Sequence, residues 1–426
     1  MVPGKPLTSA TDLASRWLGG SVMAASDESF GEKEHMLSPE PAAFEPGHYG
    51  PRGEVVDGWE TRRRREVGHD WAVVRLGAPG VISAVDVDTS FFTGNYPESA
   101  AVEACGREGY PSPAELAGPA AGWAEIVPRS VLSGDAHNEL RVGDPRRFTH
   151  VRLSIFPDGG VARLRVRGRV IPDPRALDRL TVDLASQRHG GAVVATSDDF
   201  YTSASMLNRP DSARSMGEGW ETRRRRDAGP DYVIFRLAFA GDIRQLIVDT
   251  AHFRYNASAE VAAYGSAEEP APDVGSPAWR PLLPRTRLQP DTRHVLAVSP
   301  GPAVACVRLD AFPDGGLSRV RVIGRIHPAA RVLAGYRWFN ALPANQATQC
   351  LADSGVPTAL AAEVAAQRPL SAPWLDSFRR RVPAAAGTDE AACLRALAAM
   401  LEGRSDQADS MIPDPESRAR SGFSER

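Results

Sequence analysis

Two glutamates, Glu60 and Glu221, each follow Gly-Trp and each precede a threonine and four arginines; the octapeptide at 58–65 recurs without a change at 219–226. A carboxyl group tuned by its surroundings can give or take a proton, so both glutamates are candidates for catalytic acid and base. Guanidinium forks bind carboxylates bidentately. Side chains alternate along an extended chain, so at most two arginines of a run can share one site. Arg62 with Arg64, and Arg223 with Arg225, are the sets expected to bind substrate. The offset of the octapeptide, 219 − 58 = 161, also carries Asp88-Thr89 onto Asp249-Thr250 and Asn95 onto Asn256. An asparagine side chain both donates and accepts, which suits planar polar groups. Asp88 and Asp249 stand at strand ends close to those asparagines and complete the candidate set. His252 stands opposite Phe91 of the other copy, which makes it a third acid/base candidate and a difference between the copies.

Each candidate has a structural rival. The arginines can equally be strand-edge charges paired with acidic residues, and His252 can be a hydrogen-bonded structural residue. Trp59 and Trp220 read as core or loop anchors. Asp158 and Asp314, each before two glycines, read as turn-formers.

The elements that must position these residues are short strands. Trp71 to Leu76 and Val81 to Asp88 alternate with a period of two, matched by Tyr232 to Leu237 and Ile243 to Asp249. In the closing strands Arg163, Arg165, Arg167 and Arg169 fall on one face, as do Arg319, Arg321 and Arg325, which predicts one wet and one buried face. Phe-Pro-Asp-Gly-Gly, at 156–160 and again at 312–316, predicts a tight turn before each closing strand, and with it a hairpin from Val151 to Val170 and from Val307 to Ile326. An earlier segment (Asp12-Leu13-Ala14-Ser15, Gly19-Gly20, Ser26-Asp27) returns as Asp183-Leu184-Ala185-Ser186, Gly190-Gly191, Ser197-Asp198, so each repeat begins well before its arginines. The expected fold is all-β: two tandem β-sandwich repeats, at 12–172 and 183–328, with a helical tail at 337–402 and a disordered end at 403–426.

Composition removes several function classes. With 50 basic and 53 acidic residues the net charge is −3, which gives no bulk drive towards nucleic acid or membrane surfaces. No run approaches eighteen apolar residues, and no signal pattern opens the chain, so a cytoplasmic protein is expected. The four cysteines show no metal-like spacing and are expected to be reduced. No zinc, calcium, nucleophile-elbow or phosphate-loop motif is present; no metal and no cofactor is expected.

The order Gly-Gly…Ser-Asp, Gly-Trp-Glu-Thr-Arg-Arg-Arg-Arg, Asp-Thr…Phe…Asn, Phe-Pro-Asp-Gly-Gly…Arg-x-Arg-Val, written twice over residues 12 to 328, resembles the allantoicase family. The resemblance implies jelly-roll sandwiches related to galactose-binding and discoidin domains, a homo-oligomer, and hydrolysis of allantoate to ureidoglycolate and urea. Allantoate bears one carboxylate and two ureido groups on a single carbon. Its site needs an anion clamp, planar hydrogen-bond partners, an acid for the departing nitrogen and a base for water. The alternative is a non-catalytic sandwich that binds a small ligand or carbohydrate, because fold does not fix function. Exposed loop-tip aromatics would favour binding, and a buried Arg, Glu, Asn and His cluster catalysis.

The tail carries a second likeness. Phe339-Asn340-Ala341-Leu342-Pro343 with Arg368-Pro369-Leu370 is similar to the start of ureidoimidazoline decarboxylases, but the His-Pro segment of that family does not follow. A truncated fusion without decarboxylase activity is one expectation; an oligomer-contact helical hairpin is the other. Two helices are expected, at Pro357 to Ala366 and Asp389 to Leu401.

Overall fold

The computed structural model describes residues 10–403 apart from 52, 228 and 383–386; the end expected to be disordered lies, from 404 onward, outside the described residues. In the first repeat β1 (Thr11–Asp12), β2 (Ser21–Ala25), β3 (Trp59–Glu60), β4 (Asp70–Asp88), β5 (Ser99–Cys105), β6 (Ala124–Val131), β7 (His137–Arg141), β8 (Arg147–Phe156), β9 (Gly160–Val161) and β10 (Arg163–Val170) follow one another. All pairings are antiparallel, in the order β1-β10-β4-β8-β5-β6, with β2 and β7 also on β4. The two stretches expected as separate strands are one strand, β4. Its first half pairs with β2 and β8, and its second half with β7 and β10. Gly77-Ala78-Pro79-Gly80 lies between the halves, so one long strand serves both layers of a sandwich closed over Trp59, Val74, Val85, Leu153 and Val166.

The second repeat copies this plan, with Asp231–Asp249 as its long strand and Trp220, Phe235, Leu246, Leu309 and Val322 in its core. Among the described residues the repeats hold one short α-helix, α1 (Pro113–Ala117).

Two expectations need correction. The arginine face of the closing strand is not uniformly wet: Arg163 and Arg319 are 2 % and 3 % exposed. Loops cover them, and each guanidinium is spent on loop groups, Arg163 on Asp57 and the Glu40 carbonyl, Arg319 on Asp211 and the Glu218 carbonyl. Among the described residues the tail has five helices rather than two: α2 (Pro328–Ala341), α3 (Ala344–Asp353), α4 (Thr358–Ala366), α5 (Ala372–Arg381) and α6 (Asp389–Glu402). Helix α2 opens with a proline at its first position, a common helix start, nine residues before the composition changes. Asn340 exchanges hydrogen bonds with the Leu370 backbone, and Arg368 donates to the carbonyls of Ala365 and Phe339, so the segments that carry the decarboxylase likeness meet in space.

Candidate functional site

The local fold of each repeat puts its glutamate beside its asparagine. Strand β3 pairs with β9, in register Glu60 to Gly160 and Trp59 to Val161. Trp59 has no exposure and its indole N–H donates to the Asp27 carbonyl at 2.8 Å, so the anchor reading holds. The neighbouring Glu60 must then point away from the core. Asn95 closes the arrangement: its carbonyl accepts from Gly160 N at 2.8 Å, and its Nδ2 donates to Glu60 Oε1 at 2.6 Å. Gly159, at φ +139°, admits this close approach, since a Cβ there would lie 2.7 Å from the Asn95 carbonyl. The second repeat repeats the contact, with Asn256 Nδ2 donating to Glu221 Oε1 at 2.7 Å. Trp220 is likewise buried and donates to the Asp198 carbonyl at 2.8 Å.

Glu60 borders a cleft of about 480 Å³ shared with Phe30, Phe44, Phe91, Asn95 and Asp135. Burial pushes its carboxyl above the usual range, against the opposing hydrogen bond from Asn95. A glutamate held so keeps its proton to higher pH and can act as an acid. Phe91 and His252 occupy the same place in the two loops, at φ 70° and 71°. The N–H of each donates to an aspartate, Phe91 to Asp135 at 2.8 Å and His252 to Asp291 at 2.7 Å. His252 Nε2 lies 3.0 Å from the Ala213 carbonyl, which fixes the proton on Nε2 and leaves Nδ1 as the acceptor. Asp135 and Asp291 were missed in the sequence; their offset, 291 − 135 = 156, equals that of Arg163 and Arg319, and could have marked them.

The arginines are not brought to the glutamates. Arg64 Nη1 donates to Asp70 at 2.8 Å and Arg225 Nη1 to Asp231 at 2.8 Å, aspartates that are almost wholly buried. Arg62 lies 3.5 Å from Asp27 and Arg223 donates to Asp198 at 2.7 Å, both with largely exposed side chains. Among the described residues, those that line the Glu60 cleft include no arginine. The strand-edge pairing weighed as the rival thus describes all four. Asp158 and Asp314 accept from the backbone N–H of Arg64 and Arg225, at 2.7 and 3.2 Å, and so tie turn to run. Asp88 accepts from Ser90 N and Oγ, and Asp249 from Ala251 N, which caps the first turn of each asparagine loop. Among the described residues no three His, Cys, Asp or Glu side chains are grouped to hold a metal. The geometry supports proton transfer next to an amide that can hold a planar group, once per repeat.

The model of the allantoicase repeat matches this chain twice, at residues 11–171 and 182–327. A probable allantoicase of Nocardia farcinica is 48% identical over 330 residues, which is 76% of this chain and 97% of that protein. A probable allantoicase of Streptomyces coelicolor is 44% identical over 345 residues, 78% of this chain and 90% of that protein. Among solved structures, the crystal structure of allantoicase from Saccharomyces cerevisiae is 32% identical, with a TM-score of 0.63 over 74% of this chain and 93% of that one.

Proposed function

We infer that this chain, which belongs to the allantoicase family, is a hydrolase that cleaves allantoate to ureidoglycolate and urea in purine degradation. The match of both repeats to the family model carries the reaction. The Glu–Asn contact, formed in each repeat across the same separation (95 − 60 = 35 and 256 − 221 = 35), supports the site.

The bond to be broken joins the central carbon to a ureido nitrogen. Glu60 gives its proton to that nitrogen as the C–N bond breaks, and urea departs neutral; Glu221 is the matching residue of the second repeat. Water adds its oxygen to the same carbon and loses a proton to a base, and the carbon keeps its carboxylate and second ureido group. Asn95 and Asn256 hold a ureido group through amide donors and acceptors and steer the glutamate. A protonated Glu60 also avoids like-charge repulsion with the substrate carboxylate, which an ionised one would suffer. His252, with Nδ1 free to accept, is the base in the second repeat; at the matching position the first has Phe91, so the two sites differ in power.

Four unpaired thiols and a near-neutral charge support a reducing, cytoplasmic setting, and homologous repeats support a homo-oligomer. Among the described residues no helix is long and apolar enough to cross a membrane. Incubation of the purified chain with allantoate, with urea measured by a coupled assay and ureidoglycolate by NMR, tests the reaction. One urea per allantoate lost is the expected result; no urea above the blank across pH 6 to 9 overturns it.

A further inference from the structure

A cleft of about 430 Å³ runs between the repeats, away from both glutamates. One wall is the arginine face of β10, where Arg165 and Arg167, two residues apart, point the same way. Their surroundings differ from those of the other arginines. Arg165 donates one nitrogen to the Ser38 carbonyl at 2.6 Å and stands 3.9 Å from Asp12. The side chain of Arg167, half-buried, makes no hydrogen bond and no ion pair among the described residues, while its carbonyl accepts from Ser83 Oγ. Asp12, its backbone partner across the sheet, has Oδ1 engaged by the N–H groups of Ala14 and Val166. A guanidinium at a cleft wall with no acidic partner keeps its donors available for an anion.

The facing wall belongs to the second repeat and offers acceptors. Gln187 spends its Nε2 on the Ser205 carbonyl and Asn208, which leaves Oε1 for an N–H donor. The hydroxyls of Ser203 and Ser205 lie 2.9 Å apart beside it. The second repeat has no equivalent site, because Ile323 stands where the first has Arg167 (323 − 167 = 156), and Arg321 is spent on the carbonyls of Arg209 and Asp211.

We propose that the cleft between the repeats is a second binding site, for a small carboxylate that carries planar N–H groups, with Arg165 and Arg167 on the carboxylate and Gln187, Ser203 and Ser205 on the N–H groups. The anion clamp stands on the geometry alone; the ureido character of the ligand rests on the allantoate reading. The cleft shares no lining residue with the one that Glu60 borders, so the two are separate sites.

Hydantoate, with one carboxylate, one ureido group and no scissile bond of the allantoate kind, is the probe. Calorimetric titration of the full chain is compared with Arg167→Ile, which installs the residue the second repeat carries there, and with the Glu60→Gln/Glu221→Gln double variant. Loss of a charge-assisted pair weakens binding by about tenfold or more. The proposal expects that loss in Arg167→Ile, at an unchanged melting temperature, with hydantoate binding kept in the double variant and partly restored in Arg167→Lys. Equal affinity of wild type and a folded Arg167→Ile overturns it, as does binding lost only in the double variant. Arg167-dependent hydantoate binding by a chain that releases no urea from allantoate would refute the catalytic reading and leave this site standing.

Discussion

At the scale of single residues, the structure joins the glutamates to the asparagines proposed for the site and gives the arginines other partners. Glu60 with Asn95, and Glu221 with Asn256, could be read from two copies at one offset, because duplicated spacing implies a duplicated contact. The partners of the arginines could not be read so, since a guanidinium beside a strand accepts any nearby carboxylate, and Asp70 and Asp231 are only six residues away in each copy (70 − 64 and 231 − 225). Arg64→Ala leaves buried Asp70 without its cation and should destabilise the chain by about 3 kcal/mol, read from urea denaturation. A change below about 0.5 kcal/mol, the level of an ordinary surface substitution, would remove the structural role given to Arg64. His252→Phe keeps the side chain that the first repeat tolerates at the same φ. If His252 is the base of the second site, kcat there should fall about a hundredfold with KM little changed. An unchanged kcat would return His252 to the loop.

At the scale of elements, the alternation and the Phe-Pro-Asp-Gly-Gly turn pointed to a hairpin of β8 and β10, but in the structure each pairs with β4, which lies between them, and the second repeat does the same. The covering loops were not legible, because they differ in length and sequence between copies and only the buried Arg163 and Arg319 show what they grip. A titrating pair tests how the strands are pinned. Asp183 receives the N–H groups of Ala185 and Val322 on Oδ1 while Oδ2 has no hydrogen-bond partner, and burial pushes its carboxyl up to about 6. Its unfolded value is about 4, so the folded chain binds the extra proton between about pH 4 and 6 and this group lowers stability as pH rises through that window. The cost at pH 7 is about 3 kcal/mol. Buried His150, pushed down to about 4, acts the opposite way: the unfolded chain binds more protons below about pH 6.5, and stability rises with pH there. The two slopes offset each other in the wild type. Asp183→Asn removes one of them, so its stability relative to wild type should grow from pH 4 to pH 7 in denaturant titrations. A difference that stays flat would contradict the burial assigned to Asp183.

For the molecule as a whole, the tail is part of the folded body. Its core, around Trp338, Phe339, Leu375 and Leu397, includes Ile171 and packs against Val81 of the first repeat, while Ala334 of α2 joins the core of the second. Arg331 is paired with Asp178 of the linker, and Gln346 donates to Glu108 of the first repeat. Composition showed only that something helical follows the repeats; which surface it would bury was invisible, because α2 turns Trp338 and Phe339 to the core of the tail and Ala334 to that of the second repeat. Trp338→Ala opens a cavity at that junction and should cost about 3–5 kcal/mol. An unfolding transition that shifts by less than about 1 kcal/mol would mean the tail is merely appended. The account stands most directly on the two glutamates, and the measurement that tests them is kcat for urea release from allantoate by Glu60→Gln, Glu221→Gln and the double variant, each verified as folded. It predicts a fall of about a hundredfold or more in the double variant, with the larger single loss in Glu221→Gln, whose repeat also holds His252. A folded double variant that turns over allantoate at the wild-type rate would contradict it.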